Sequence, residues 1–266
     1  MIIGENFFLT EFEKTGTSFL REYFKQYKNV KLTIHHDFIR KENINLLEKN
    51  YRVTTIRNPF SWYVSLWKWS CHMKKKSPLY SNLTSRRIKF RRLKTKLITI
   101  NYLYAQLFKN IYLWEKLFED PNSKNNFNKW IKKFLDDESK LEIGSDYSFT
   151  ASNKLGYMTF QFLIRNSLRN NLDILYDSKN SGLEPIKKLF KNQFTNYILK
   201  TENLIHDLKI FLNKIGLEIL NFHKLQNYQP VDKSSEYLEY YNDENKELIM
   251  KKEQIIFKKF YSEINI

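Results

Sequence analysis

The sequence predicts an α/β fold, a parallel sheet flanked by helices and carrying a largely helical insertion. Three observations lead there. Apolar runs at Phe7–Phe12, Val30–Ile34 and Arg52–Ile56 each precede a stretch with helical spacing, and alternation of strand and helix is the pattern of a parallel sheet. The third run closes on Asn58-Pro59, a helix cap followed by proline at the first helical position. With 42% hydrophobic and 16% aromatic residues but only 6 Gly and 5 Pro in 266, the chain has material for a sizeable core and does not read as disordered.

Phe7–Phe12 reads as a buried strand that breaks at Glu13-Lys14-Thr15-Gly16-Thr17. Beyond the break, Leu20, Tyr23, Phe24 and Tyr27 recur on one helical face. Val30–Ile34 alternates apolar and polar and reads as a second strand. Ile39–Leu47 has helical spacing, and Arg52–Ile56 is the third strand. In the helix from Phe60, an apolar face of Phe60, Val64 and Trp67 lies beside a polar one of Ser61, Ser65 and Lys68. About residues 80–190 are mostly helical and rich in aromatics. Thr195–Lys200 reads as a late strand, followed by a helix with Leu204, Leu208, Phe211, Leu212 and Ile215. Glu244–Glu263 reads as one final helix. Neither a repeat nor a linker interrupts the chain, so one domain over residues 1–266 is expected, with a basic helical insertion at about 74–146.

The formal charge of +16 favours an anionic partner: nucleic acid, a membrane surface, a polyanionic substrate or a nucleotide. The single cysteine, Cys71, excludes an intramolecular disulfide and a four-cysteine zinc site, and reads as a core thiol. No uninterrupted apolar run is long enough to span a membrane, and no basic-then-apolar leader pattern opens the chain. A cytoplasmic protein is therefore expected.

The Lys14–Ser18 corner has the chemistry of an anion site. A glycine lets backbone N–H groups converge, the next helix offers its free N–H groups, Lys14 adds charge, and Thr15, Thr17 and Ser18 add hydroxyls. It is not a Walker loop, because the lysine precedes the only glycine. Arg57 ends the third strand and Ser65 follows eight residues later. Arginine is the natural bidentate partner of a phosphate, and serine adds a neutral donor.

Together these elements resemble the cofactor motifs of the sulfotransferases that use 3′-phosphoadenosine 5′-phosphosulfate (PAPS), in particular the Golgi and bacterial carbohydrate type. Lys14, Thr15, Gly16, Thr17 and Ser18 match the family's first strand–loop–helix, which holds the 5′-phosphosulfate. Arg57, Asn58, Pro59 and Ser65 match its second element, which holds the 3′-phosphate; the spacing of about 40 residues also fits. Tyr197–Leu217 is similar to the family's late strand and helix, and residues 232–260 to its C-terminal lid and helix. A shorter echo surrounds Gly156–Phe162. Residues from about Lys74 to Asp146 match nothing in it. The resemblance implies a three-layer α/β/α fold of the P-loop NTPase-like type with a central parallel sheet. It implies sulfuryl transfer from PAPS to a hydroxyl of a carbohydrate, glycolipid or other small acceptor, without a metal. It further implies Lys14 as the group that neutralises the leaving phosphate, and Lys233 and Ser234 in a lid over the nucleotide. Three positions depart from the family: Glu13 replaces its usual proline, Trp62 stands where some members have a second arginine, and Thr201 stands where an aromatic often meets the adenine.

The base is open between His35 and His36, at the end of the second strand, where sheet ligands gather. His36 is in phase with Val30, Leu32 and Ile34 and is slightly preferred. Asp37 is a candidate to orient either ring, and Glu11 and Glu13 are alternative bases; His72, His206 and His223 rank lower. From Lys74 to Lys96 there are ten Lys/Arg and no acid. This tract suits an anionic acceptor or acidic lipid headgroups, while its aromatics are too sparse for a single-strand stacking platform. Two other readings compete: a P-loop-type kinase, which would need a Walker loop, and a basic nucleic-acid-binding protein without catalysis.

Overall fold

The computed structural model describes residues 1–86, 88, 96–222 and 236–263, with 96–99 as backbone only. Its strands are β1 (Ile2–Ile3), β2 (Phe7–Thr10), β3 (Lys31–Leu32), β4 (Tyr51–Ile56) and β5 (Tyr197–Lys200). Its helices are α1 (Thr17–Phe24), α2 (Pro59–His72), α3 (Pro78–Leu83), α4 (Lys96–Leu107), α5 (Ile111–Leu117), α6 (Lys124–Leu135), α7 (Tyr157–Asn166), α8 (Glu184–Lys191), α9 (Leu204–Ile215), α10 (Asp243–Lys252) and α11 (Gln254–Phe260). The chain is α/β, and it divides into two compact units: residues 1–58, 161–173 and 187–234, and the remainder.

The first unit holds the five-stranded sheet, ordered β3-β1-β2-β4-β5. The parallel sheet expected from the sequence is corrected here: the sheet is mixed. β2, β4 and β5 run parallel, but β1 pairs antiparallel with both β2 and β3. Three residues separate β1 from β2, enough for a hairpin and too few for a parallel crossover. The predicted strand Val30–Ile34 is likewise corrected to the short edge strand Lys31–Leu32, antiparallel to β1. Ile34, read as facing inward, is 76% exposed. Ile39–Leu47 forms a 3₁₀ segment at Lys41–Glu48 rather than an α-helix, with a kink at Asn43.

β2 is apolar along its whole length because both its faces are covered. Phe7 and Leu9 pack with Phe19, Leu20, Tyr23 and Phe24 of α1 and Leu208, Phe211 and Leu212 of α9. On the opposite face Phe8 packs with Met1, Ile39 and Leu46, with partly buried Leu168 and Phe194 beside them. Asn166, fully buried, accepts from Thr10 and Thr195 through Oδ1 at 2.7 and 2.9 Å and donates to the Phe162 carbonyl.

The second unit is helical and aromatic. α6 buries Phe127, Trp130, Ile131 and Phe134, one face at helical spacing, and Ser123 caps its start by accepting from the Asn126 N–H. Trp130 stacks on Phe134 at 4.9 Å, and Trp67 donates to the Leu117 carbonyl. The single C-terminal helix expected from the sequence is two, with Glu253 at the break. The Glu253 carboxyl is fully buried and accepts from the backbone N–H groups of Met158 and Thr159, at 3.0 and 2.8 Å, and from the Tyr63 hydroxyl at 2.5 Å. It thereby satisfies the first turn of α7. Burial pushes its pKa up, against those hydrogen bonds. Gly156 makes this approach possible: a Cβ there would lie 2.0 Å from Glu253 Oε1. Cys71 is a free, buried thiol whose pKa burial raises to about 12. Among the described residues, no helix is long and apolar enough to cross a membrane, and no group of His, Cys, Asp and Glu is arranged to hold a metal ion.

Candidate functional site

The parallel strands β2, β4 and β5 end along one edge of the sheet, at Thr10, Ile56 and Lys200. Ligands of α/β sheets gather at such edges. The loop after β2 carries Lys14 and Gly16, both with left-handed backbone, at φ 63° and 80°. Glycine adopts this freely. For a lysine it costs about 1–2 kcal/mol, a strain that functional loops commonly hold. Gly16 is also the N-cap of α1, and no side chain caps the helix there. The first turn of α1 therefore presents N–H groups with partial positive charge at the loop.

Thr15 has a different task from the one its sequence position suggested. Its hydroxyl donates to the Phe12 carbonyl at 2.6 Å and accepts from the Thr55 hydroxyl of β4. That pair ties the loop to the neighbouring strand. Thr17 is buried and Ser18 exposed on the first turn of α1.

Arg57 follows β4 directly, and its Nη1 donates to the Lys14 carbonyl at 3.3 Å. The two cations of the two sequence elements thus lie side by side. Lys14 is partly buried, and its pKa falls to about 8 through burial first and the charge of Arg57 second, with Glu13 opposing. Asn58 is buried and its N–H donates to Glu202 Oε1 at 2.5 Å; Thr201 donates to the Ile56 carbonyl at 2.9 Å. The end of β5 is therefore bonded to the turn that holds Arg57. Ser65 lies half-buried on α2, in the second unit. Lys233, Ser234 and His223 lie outside the described residues, as do positions 87 and 89–95 of the basic tract.

His35 and His36 stack at 3.8 Å. Their surroundings differ from a plain strand end: His36 has a left-handed backbone at φ 58° and sits beyond β3 in a turn. Its Nδ1 lies 2.9 Å from the Glu11 carbonyl. A carbonyl only accepts, so Nδ1 carries the proton and Nε2 keeps the basic lone pair. Burial lowers the His36 pKa, and it lowers that of His35 to about 4, with the charge of His36 second. Both rings are neutral near pH 7, the form a general base needs.

Glu11 and Glu13, the alternative bases, are engaged in ion pairs. Glu11 is fully buried. Its Oε2 accepts from the Met1 ammonium and Arg21 Nη1, each at 2.8 Å, and from the His36 N–H at 3.2 Å; its Oε1 lies 3.3 Å from His35 Nε2. Burial alone would raise the Glu11 pKa, but the ammonium and Arg21 hold it below the ordinary value. Glu13 accepts from Arg165 Nη2 at 3.2 Å. Arg165 also donates to the His36 carbonyl and lies 4.2 Å over the ring of Phe38. Sequence reasoning missed Arg165 and Arg21. Neither sits in a local motif, and Arg165 meets partners more than a hundred residues away. Asp37 bonds Arg40 at 3.3 Å instead of a histidine ring. Among the other histidines, His72 and His206 are exposed.

No model of a known protein family, no curated protein and no solved structure matches this chain.

Proposed function

We propose that the protein is a sulfotransferase that moves the sulfuryl group of PAPS to a hydroxyl of a carbohydrate, glycolipid or other small acceptor, on a three-layer, P-loop NTPase-like fold. The observation that supports this reading is the convergence of Lys14 and Arg57 on the loop between β2 and α1. Two cations held side by side, next to a helix start that no side chain caps, gather positive charge at one loop, the setting in which an anion binds well. The donor set fits a ligand with two anionic ends: Lys14 and the α1 N–H groups for one, Arg57 with its fork of donors for the other.

PAPS supplies a sulfuryl group on a good leaving phosphate. The acceptor oxygen attacks sulfur while the bond from sulfur to the 5′-phosphate oxygen breaks, and that bond's electron pair leaves with the phosphate. Lys14 neutralises the charge that develops there. His36 takes the acceptor's proton at Nε2, with its tautomer fixed by the Glu11 carbonyl and its backbone held by Arg165. Glu13, paired with Arg165, has a role in positioning that strap.

The test is ligand-specific thermal stabilisation. PAP, the desulfated product, should raise the melting temperature, whereas ATP with magnesium should not. Stabilisation by ATP–magnesium would turn the reading to a kinase. No response to PAP, with strong salt-dependent binding to polynucleotide, would turn it to a nucleic-acid-binding protein.

A further inference from the structure

α4 is amphipathic in the reverse sense. It buries Tyr102 and Gln106, and Gln106 donates to the Leu141 carbonyl at 2.7 Å. Its outer face, at helical spacing, carries Ile100, Tyr104 and Leu107, and Phe108 follows directly; these four are exposed by 57–69%. Tyr104 and Phe108 pack on each other at 4.4 Å. Four residues on, Tyr112 in the first turn of α5 is 72% exposed. Isolated exposed apolar residues are ordinary; a run of two aliphatics and three aromatics is not. Clusters of exposed apolar residues of this kind mark interaction surfaces.

The sequence that leads into and forms this face is basic, with Glu115 the first acid beyond it. No Asp or Glu occurs between Glu48 and Glu115. Arg86 is exposed and anchored to the end of α4, its Nε donating to the Leu107 carbonyl at 3.0 Å. Lys75 and Lys76 are exposed in the turn after α2. Buried Lys109 joins the segments by donating to the Asn82 and Ser85 carbonyls at 2.9 and 2.8 Å.

We infer that the outer face of α4 and the start of α5 form a membrane-docking surface for an anionic lipid bilayer. Aromatic and aliphatic side chains enter the boundary between headgroups and acyl chains, while Arg86 at the end of α4 meets lipid phosphates. Apolar insertion combined with basic attraction is the physics of interfacial helices. A second copy of the chain would satisfy the apolar stripe, but two copies at +16 each repel, whereas an anionic bilayer attracts that charge. The inference does not depend on the sulfotransferase reading, since its test contains neither cofactor nor acceptor.

The test is co-sedimentation with vesicles of phosphatidylcholine alone and of phosphatidylcholine mixed with phosphatidylglycerol. The protein should bind the anionic vesicles strongly at low salt and retain part of that binding at high salt through insertion. Tyr104→Ser with Phe108→Ser should weaken binding at least about tenfold at both salt levels, because the apolar contribution scales with buried area. Arg86→Gln should weaken it mainly at low salt. These are surface positions, and an unchanged melting temperature in both variants confirms an intact fold. Equal binding to neutral vesicles, or undiminished binding by the double variant, would overturn the inference. So would sedimentation velocity showing a dimer in wild type that the double variant abolishes, which would give the face to a second copy.

Discussion

Lys14 gives the sulfotransferase reading its most direct test, because its pKa links PAP affinity to pH. In the free protein the ammonium titrates at about 8, against the ordinary lysine value of 10.5. A bound phosphate opposes both causes of that depression by adding negative charge beside the ammonium, in the same sense as Glu13. The sign follows. Below pH 8 Lys14 is already protonated, no proton accompanies the ligand, and affinity is flat. Above pH 8 binding must take up a proton, so affinity falls as pH rises toward the pKa of the complex. If the phosphate restored the full difference of about 2.5 units, the limit at 1.36 kcal/mol per unit would be ~3.4 kcal/mol. Lys14 is partly exposed and solvent screens the interaction, which brings the expected loss to ~1–2 kcal/mol, roughly 5- to 30-fold in Kd. Isothermal calorimetry of PAP in buffers of different ionisation enthalpy reads both quantities: the slope, and an uptake of about half a proton near pH 8. Lys14→Met should bind more weakly and remove the uptake. Arg57→Gln should move its onset to higher pH by lifting the second cause of the depression. PAP binding with no proton uptake at pH 8–9 and no pH dependence would refute the placement of Lys14 against the ligand.

Arg57→Ala should cost about 2–4 kcal/mol of PAP affinity, since a charged bidentate contact is lost, and should abolish preference for PAP over 5′-AMP in competition calorimetry. His36→Asn, chosen because asparagine tolerates the left-handed backbone, should lower the transfer rate by about 10²–10⁴-fold with PAP affinity unchanged, while His35→Asn should have a mild effect; radiolabelled sulfuryl transfer separates the two, and a severe loss in His35→Asn alone would exchange their roles. Gly156→Ala should destabilise the second unit by about 2–4 kcal/mol, because its methyl group would displace the Glu253 carboxyl from the start of α7, and thermal melting would show the loss.

What the sequence made legible is local. β2, β4 and β5 are apolar runs bounded by strong signals, Lys14-Thr-Gly, Asn58-Pro59 and the Thr201 turn, and each lies within a residue or two of its predicted position apart from the loop residues Glu11 and Phe12. β1 has two residues, too few for any periodicity to register, and with it went the antiparallel half of the sheet. Val30–Ile34 alternates convincingly, yet the strand ends after Leu32 and Ile34 faces solvent, so the phase that favoured His36 was read beyond the strand's end. The ring's actual setting comes from the Glu11 carbonyl and Arg165. The break at Glu253 was equally hidden: within its own helix the residue looks like any exposed glutamate, and only the distant Gly156–Thr159 turn gives it a reason to be buried. That Lys14, Gly16 and Arg57 lie in turns at the sheet edge could be read in advance because turns are written in consecutive residues. The partners that hold His36 could not, because they are written across the whole chain.

The hydroxyl pair between Thr15 and Thr55 makes a ruler of the sheet edge. Lys14 is next to one of these threonines in sequence and Arg57 is two residues from the other, so the pair joins the loop that carries one cation to the strand end that leads to the other. If the two cations share one ligand as proposed, the joint between the two threonines helps to set which spacing of anionic groups they accept.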